Sequence, residues 1–267
     1  MNRAGSPSTV RIVLVYPDLL GTYGDSGNAT VLAQRLRWRG LPAEVLTIRA
    51  GESVPRSAEL YVVGGGEDQP QALAARQLGR PGPLHRAVEA GAALLAVCAG
   101  LQILGESFVG PDGVEAAGLG LLDCRSVRGS GPRAVGELVV DPDPDCALPP
   151  LTGYENHGGV TLLGPSARPA GTVRSGVGNG AGRSDGVRAG RIWATYLHGP
   201  VLARNPGLAD WLLASVVGDL GALDDGEIEA LRVERFAHAP GEAAPTARGR
   251  TLPGMVALAR RGLGGTR

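Results

Sequence analysis

Four short strand-like runs, each five to seven residues long, with helix-forming stretches in two of the three gaps between them, constrain this chain more than any other feature. They are RIVLVYP (11–17), AEVLTI (43–48), ELYVV (59–63) and AALLAV (92–97). The first and fourth are continuous apolar runs, the mark of a strand covered on both faces, and the other two are strand candidates. Between the first two, Val31, Leu32, Leu36 and Trp38 recur at helical spacing from Ala29 onward, and Gly40 stops the pattern. Further helices are predicted at roughly 68–78 and 83–90. Strands alternating with helices imply parallel βαβ units and an open, mostly parallel, twisted sheet flanked by helices, an α/β fold. After about residue 118 shorter strand candidates crowd together (LGLLDCRSV, GELVV, GVTLL, GTVRS, RIWATYLH), punctuated by Gly and Pro. They read as an antiparallel or mixed extension of that sheet. Asn205 to Val217 reads as a final amphipathic helix. The expected organisation is one domain over residues 10–220 and a C-terminal extension over 221–267, helical and partly disordered, with the Ala/Gly/Pro/Arg-rich stretch beyond about Gly241 loosely ordered.

The net charge of zero gives no electrostatic footprint for nucleic acid or an anionic membrane. No apolar run approaches the ~20 residues that span a bilayer. The opening MNRAGSPSTV lacks the apolar segment of a signal peptide, so a cytoplasmic location is expected. Every basic side chain is Arg; the absence of Lys excludes Walker A, Schiff-base and kinase-type lysine chemistry, and any ATP would be bound by another chain. Three cysteines at unpaired spacings (Cys98, Cys124, Cys146) argue against a disulfide framework and against a zinc site.

Cys98 stands apart. It follows the fourth apolar run and precedes Ala99, Gly100 and a helical segment, LQILGESF. Strand, tight turn, nucleophile and helix make a nucleophile elbow, with the thiol at the carboxyl end of the sheet and at a helix N-terminus that favours thiolate. The competing view is that Cys98 is a small apolar residue ending a strand. Gly64-Gly65-Gly66 ends the neighbouring run, and its amides suit an oxyanion hole; a phosphate-binding loop is the alternative, but no GxGxxG or GxxxxGK[ST] pattern is present. Of four histidines, His198 ends the apolar run IWATYL before Gly199-Pro200 and is favoured as the base. His157 lies in GYENHGG, which reads as a polar loop, and remains the alternative. His85, on a predicted helix, and His238, near the tail, are expected to be solvated.

Together these segments resemble the class I glutamine amidotransferases. VVGGGEDQ (62–69) is similar to the family's oxyanion strand, and AVCAGLQILGESF (96–108) to its C-x-G-x-Q elbow. GYENHGG (153–159) and TYLHGPVLARNP (195–206) resemble the narrower cobyric-acid-synthase-like group. Within it, YPDLLGTYGDSGN and the LHGPxLxRNP ending are most similar to the glutaminase subunits of lipid II isoglutaminyl synthases. The resemblance implies that Cys98 attacks the side-chain amide of L-glutamine and that His198 moves the protons. Amides near Gly65, Gly66 and Ala99 would hold the oxyanion, and Gln102 would line the glutamine pocket. Arg133 would bind the glutamine carboxylate; otherwise it is a surface arginine beside a strand. The family's His-x-Glu is His198-Gly199-Pro200 here, so the orienting acid is missing at that spacing. It is expected from Glu155 or from a partner chain. The resemblance implies no cofactor in this chain, with ATP and Mg in a Mur-ligase-like partner forming a heterodimer that amidates lipid II. A corrinoid (cobyric acid) amidotransferase and a non-catalytic binding domain on the same fold are the alternatives.

Overall fold

A computed structural model describes residues 8–238 of the chain. The main sheet is built from the runs that the sequence marks. Among strands β1 (Val10–Val15), β2 (Ala43–Ile48), β3 (Leu60–Val63) and β4 (Ala93–Val97), helix α1 (Gly27–Trp38) joins β1 to β2, a loop joins β2 to β3, and helices α2 (Asp68–Leu78) and α3 (Pro83–Glu89) join β3 to β4. β3 and β4 are buried at every position, which is why their sequences show no polar alternation. On α1, Ala29, Leu32, Ala33 and Leu36 face the sheet, while Trp38, grouped with them by spacing, is 60% exposed.

After β4 the chain runs through the short helix α4 (Ala99–Leu104) and strands β5 (Ser107–Val109), β6 (Glu115–Ala117), β7 (Cys124–Arg128) and β8 (Ala134–Pro142). It continues through β9 (Leu151–His157), β10 (Gly159–Leu163), β11 (Gly171–Ser175) and β12 (Ser184–Asp185), then β13 (Val187–Ala189) and β14 (Ile192–Thr195). Helices α5 (Val201–Arg204), α6 (Pro206–Val217) and α7 (Gly226–His238) close the described part. The helix after Cys98 is shorter than LQILGESF, because Gly105 ends it and Ser107 begins a strand. α6 is not the last helix; α7 follows it within the C-terminal extension. The stretch beyond Gly241 lies outside the described residues.

The six-stranded sheet has the order β13-β14-β4-β3-β1-β2, parallel except for β13. The antiparallel extension takes a definite form: only β13 and β14 join this sheet. The other late strands form two four-stranded sheets of their own, β10-β7-β5-β6 and β12-β11-β8-β9, largely antiparallel. The chain passes from one to the other between His157 and Gly159. Among the described residues no helix is long and apolar enough to cross a membrane.

This topology gathers four loops at the carboxyl edge of the main sheet, where open α/β sheets place their sites. Residues 16–26 follow β1, Gly64–Gly66 follow β3, Cys98 follows β4, and His198 lies three residues beyond β14. The register pairs Val63 with Ala96 and Thr195 with Val97, so the glycines and the histidine segment flank the cysteine. A Cβ on Gly100 would lie 2.5 Å from the Val63 carbonyl oxygen, so the start of α4 packs directly on β3. Gly100→Ala is therefore expected to destabilise the fold by about 1–3 kcal/mol, read as a lower urea midpoint, because backbone cannot yield as a side chain can.

Candidate active site

Cys98 caps α4 with φ 51° and ψ −104°, a left-handed conformation that costs a non-glycine residue of order 1–3 kcal/mol. The surroundings hold it there. Its amide donates to the Thr195 carbonyl at 2.9 Å, and its carbonyl accepts from the Gln102 amide at 3.0 Å. The sharp turn turns the thiol away from the sheet and leaves the first amides of α4 without intrahelical acceptors.

His198 is fixed through both backbone and ring. Its amide and carbonyl exchange hydrogen bonds with Tyr154 on β9, at 2.8 and 3.3 Å. Its ring Nδ1–H donates to the Asp25 carboxylate at 2.9 Å, and both side chains are buried. Nε2 has no partner within hydrogen-bond distance among the described residues and is left to the Cys98 thiol. Burial alone would lower the imidazole pKa. The Asp25 carboxylate, and the thiolate form of Cys98, outweigh it and raise the value to about 10. The arrangement holds the imidazole in its protonated form beside the Cys98 sulfur.

Asp25 is the acid that the sequence left unplaced. Glu155 does not supply it, because its carboxylate is bonded to His157 Nε2 and to the Val177 and Gly178 amides. Nor does Nδ1 await a carboxylate from another chain, since Asp25 Oδ2 occupies it. The same oxygen accepts the Gly65 amide at 2.9 Å, while Thr22 N–H donates to the Gly65 carbonyl at 3.1 Å. The loop after β1 thus docks edge-on against the glycine run. That contact explains three successive glycines: added Cβ atoms would lie 2.2 Å from the Leu20 carbonyl at Gly64, 2.5 Å from the His198 ring at Gly65, and 2.6 Å from the Leu19 carbonyl at Gly66. It also corrects the expectation for Gly65, whose amide serves Asp25 and is not free for an oxyanion. The Gly66 amide has no acceptor among the described residues, and Gly66 lines the cavity beside Cys98.

That cavity encloses about 370 Å³, with Cys98 and His198 on its floor. Gln102 lines it and is held on both sides, its Oε1 accepting from Gln71 Nε2 at 2.9 Å and its Nε2 donating to the Tyr196 hydroxyl at 3.1 Å. Arg133 is exposed at the rim, its guanidinium bonded to the Asn156 side-chain oxygen and to the Asn156 carbonyl. Asn156 in turn donates to the Tyr23 hydroxyl, and the Tyr23 ring lies edge-on to His198 with centroids 4.9 Å apart. Arg128 lies on the same rim as Arg133, and Glu67 and Asp68 also line the cavity.

The other histidines differ from their sequence reading. His157 is not in a polar loop; it ends β9, is 3% exposed, and has both ring nitrogens engaged. His85 accepts the Gly82 amide and donates to the Leu119 carbonyl, so it ties α3 to the loop between β6 and β7. The side chain of His238 lies outside the described residues. Cys124 and Cys146 are free, buried thiols; burial pushes that of Cys124 up to about 12, which makes it unreactive.

Residues 11–206 match the family of CobB/CobQ-like glutamine amidotransferase domains. The chain is 35% identical over 199 residues to the lipid II isoglutaminyl synthase (glutamine-hydrolyzing) subunit GatD of Staphylococcus aureus, covering 73% of this chain and 79% of that one. It is 28% identical to the subunit of the same name from Streptococcus pneumoniae, covering 79% and 82%. A cobyric acid synthase of Xanthobacter autotrophicus is 36% identical over 167 residues, but the matched part is 58% of this chain and 32% of that protein. In fold, the chain is similar to a crystal structure of a glutamine amidotransferase (TM-score 0.52, 21% identity, 77% of this chain and 98% of that one). It is also similar to the PurLQS structure from Thermotoga maritima (TM-score 0.53, 18% identity, 79% and 98%). With the elbow, the buried histidine and the matched span in agreement, this chain belongs to the CobB/CobQ-like glutamine amidotransferase family and is a glutamine amidotransferase.

Proposed function

We propose that the chain is the glutaminase subunit of a lipid II isoglutaminyl synthase, hydrolysing L-glutamine through a Cys98 thioester and passing ammonia to an ATP-dependent, Mur-ligase-like partner. The observation that carries the chemistry is the buried line Asp25–His198–Cys98 at the floor of a cavity. The Cys98 thiolate attacks the δ-carbon of glutamine, and the oxyanion is met by the amides of Gly66 and Ala99. His198, protonated at Nε2, gives its proton to the departing nitrogen, so ammonia leaves and a glutamyl thioester remains. Neutral His198 then takes a proton from water, the resulting hydroxide attacks the thioester, and glutamate departs with return of the thiolate–imidazolium pair. Asp25 holds the ring so that Nε2 faces sulfur throughout. At the rim, Arg133 with Arg128 suits the substrate α-carboxylate, and Glu67 with Asp68 suits its ammonium group.

The acceptor rests on the relatives. Their names describe subunits of a lipid II isoglutaminyl synthase, and this chain spans most of their length, whereas it spans about a third of the cobyric acid synthase. The reading assigns the amidated group to the D-glutamate α-carboxylate of lipid II, with ATP and Mg bound by the partner.

The chain co-purified with its partner is expected to amidate lipid II with glutamine and ATP. With Cys98→Ala the same complex should use free ammonium but not glutamine; continued amidation with glutamine would instead make this chain a non-catalytic module. Asp25→Asn is expected to lower kcat for glutamine by about 10²–10⁴-fold with little change in KM, because the ring loses its anchored tautomer. The same pair gives a stability signature. The folded-state pKa of His198 is raised, so its contribution is complete below the unfolded value of 6.5 and is lost progressively as pH rises to about 10. Thermal denaturation should show the advantage of wild type over Asp25→Asn shrinking across that window.

A further inference from the structure

A second buried pair, Glu155 and His157, lies beside the cavity, which His157 lines, and has no role in the steps proposed for hydrolysis. The two side chains are 2% and 3% exposed. The Glu155 carboxylate accepts His157 Nε2–H at 3.2 Å, the Val177 amide at 2.8 Å and the Gly178 amide at 2.9 Å. His157 Nδ1 faces the Gly159 carbonyl at 3.0 Å, a group that can only accept. Both ring nitrogens are therefore engaged, and neither is free to serve Cys98 as a base.

What the ring does hold is the surroundings of Gln102. It stacks on the Tyr196 ring, with centroids 3.9 Å apart and planes inclined by 23°. The Tyr196 hydroxyl receives the Gln102 amide and pairs with Thr161 Oγ1 at 2.7 Å, which pairs with Ser126 Oγ at 3.0 Å. The bond to Gly159 bridges the point where the chain leaves one sheet for another. At Gly159 a Cβ would lie 2.8 Å from Gln102 Nε2. His157 thus fixes two of the surfaces against which Gln102 rests, the Tyr196 phenol and the Gly159 backbone. Glu155 fixes His157 to the 177–178 turn.

We propose that Glu155 and His157 are positioning residues of the glutamine pocket, acting through Tyr196 and Gly159 to hold the Gln102 amide toward bound substrate, and so setting glutamine affinity, not Cys98 reactivity. This rests on the reading of the cavity as a glutaminase site.

The test uses the full chain in complex with its partner and compares wild type with His157→Asn, Tyr196→Phe, Gln102→Ala and the double variants. His157→Asn is expected to raise KM for glutamine about tenfold, the loss of about one hydrogen bond, with kcat within about threefold of wild type. Alkylation of Cys98 by iodoacetamide, which does not use the amino-acid pocket, should proceed at the wild-type rate. Tyr196→Phe, which keeps the stacked ring and deletes only the hydroxyl, should reproduce the KM effect even where His157→Asn folds poorly. In the Gln102→Ala background either change should add less than about twofold, as expected for residues acting through one partner. An unchanged KM in Tyr196→Phe, parallel losses of kcat and alkylation rate in His157→Asn, or additivity with Gln102→Ala would overturn the proposal. A wild-type complex that releases no ammonia from glutamine would sink the glutaminase reading itself, an outcome distinct from active wild type with unmoved variants.

Discussion

The site depends on one buried carboxylate oxygen. Asp25 Oδ2 receives the Gly65 amide and the His198 imidazole together, in a place closed to water. A buried carboxylate is costly unless donors meet it, and these two come from different strands of the main sheet. Meeting the charge at Oδ2 therefore fixes the loop after β1, the end of β3 and the segment after β14 relative to one another. Each needs the others. The glycine run lets the loop approach, the loop carries the acid, and the acid orients the ring that serves Cys98.

Further contacts brace this arrangement from behind. Asn28, near the start of α1, accepts the Leu202 amide of α5, and a Cβ on Gly27 would lie 2.6 Å from the Pro200 ring. The turn after His198 is thereby seated on the helix that follows Asp25. Tyr154 grips the His198 backbone from β9. The strained Cys98 conformation persists because β3, β4 and the Thr195 carbonyl constrain it from three sides. A rigid, preorganised floor is what a reaction with developing negative charge requires.

The late sheets have a separate task. Alternation along the end of β9 leaves Asn156 facing the rim and Arg133, and turns Glu155 and His157 inward. One strand end thus serves both the mouth of the cavity and its wall. The buried polar chain from Gln71 to Ser126 runs along that wall with each neighbour bonded to the next, which makes a cavity lined by polar side chains stiff enough to be selective.

By itself the sequence determined the parallel core, the elbow at Cys98, the glycine run beside it and the histidine just past the last strand of the main sheet. These are local patterns: apolar runs fix buried strands, and a small-residue turn after a strand fixes where a nucleophile can stand. Only the tertiary structure decided which carboxylate completes the site. Asp25 and His198 are 173 residues apart, and Asp25 lies in a Gly/Ser/Asn-rich stretch that reads as an ordinary turn. Its role arises because β1 and β14 end on the same edge of one sheet, a pairing that no local pattern encodes. The same reason moved Gly65 from oxyanion donor to partner of the acid, and His157 from a polar loop to a buried wall. A hydrogen-bond partner is chosen by proximity in the fold, and proximity was the one quantity the linear chain did not carry.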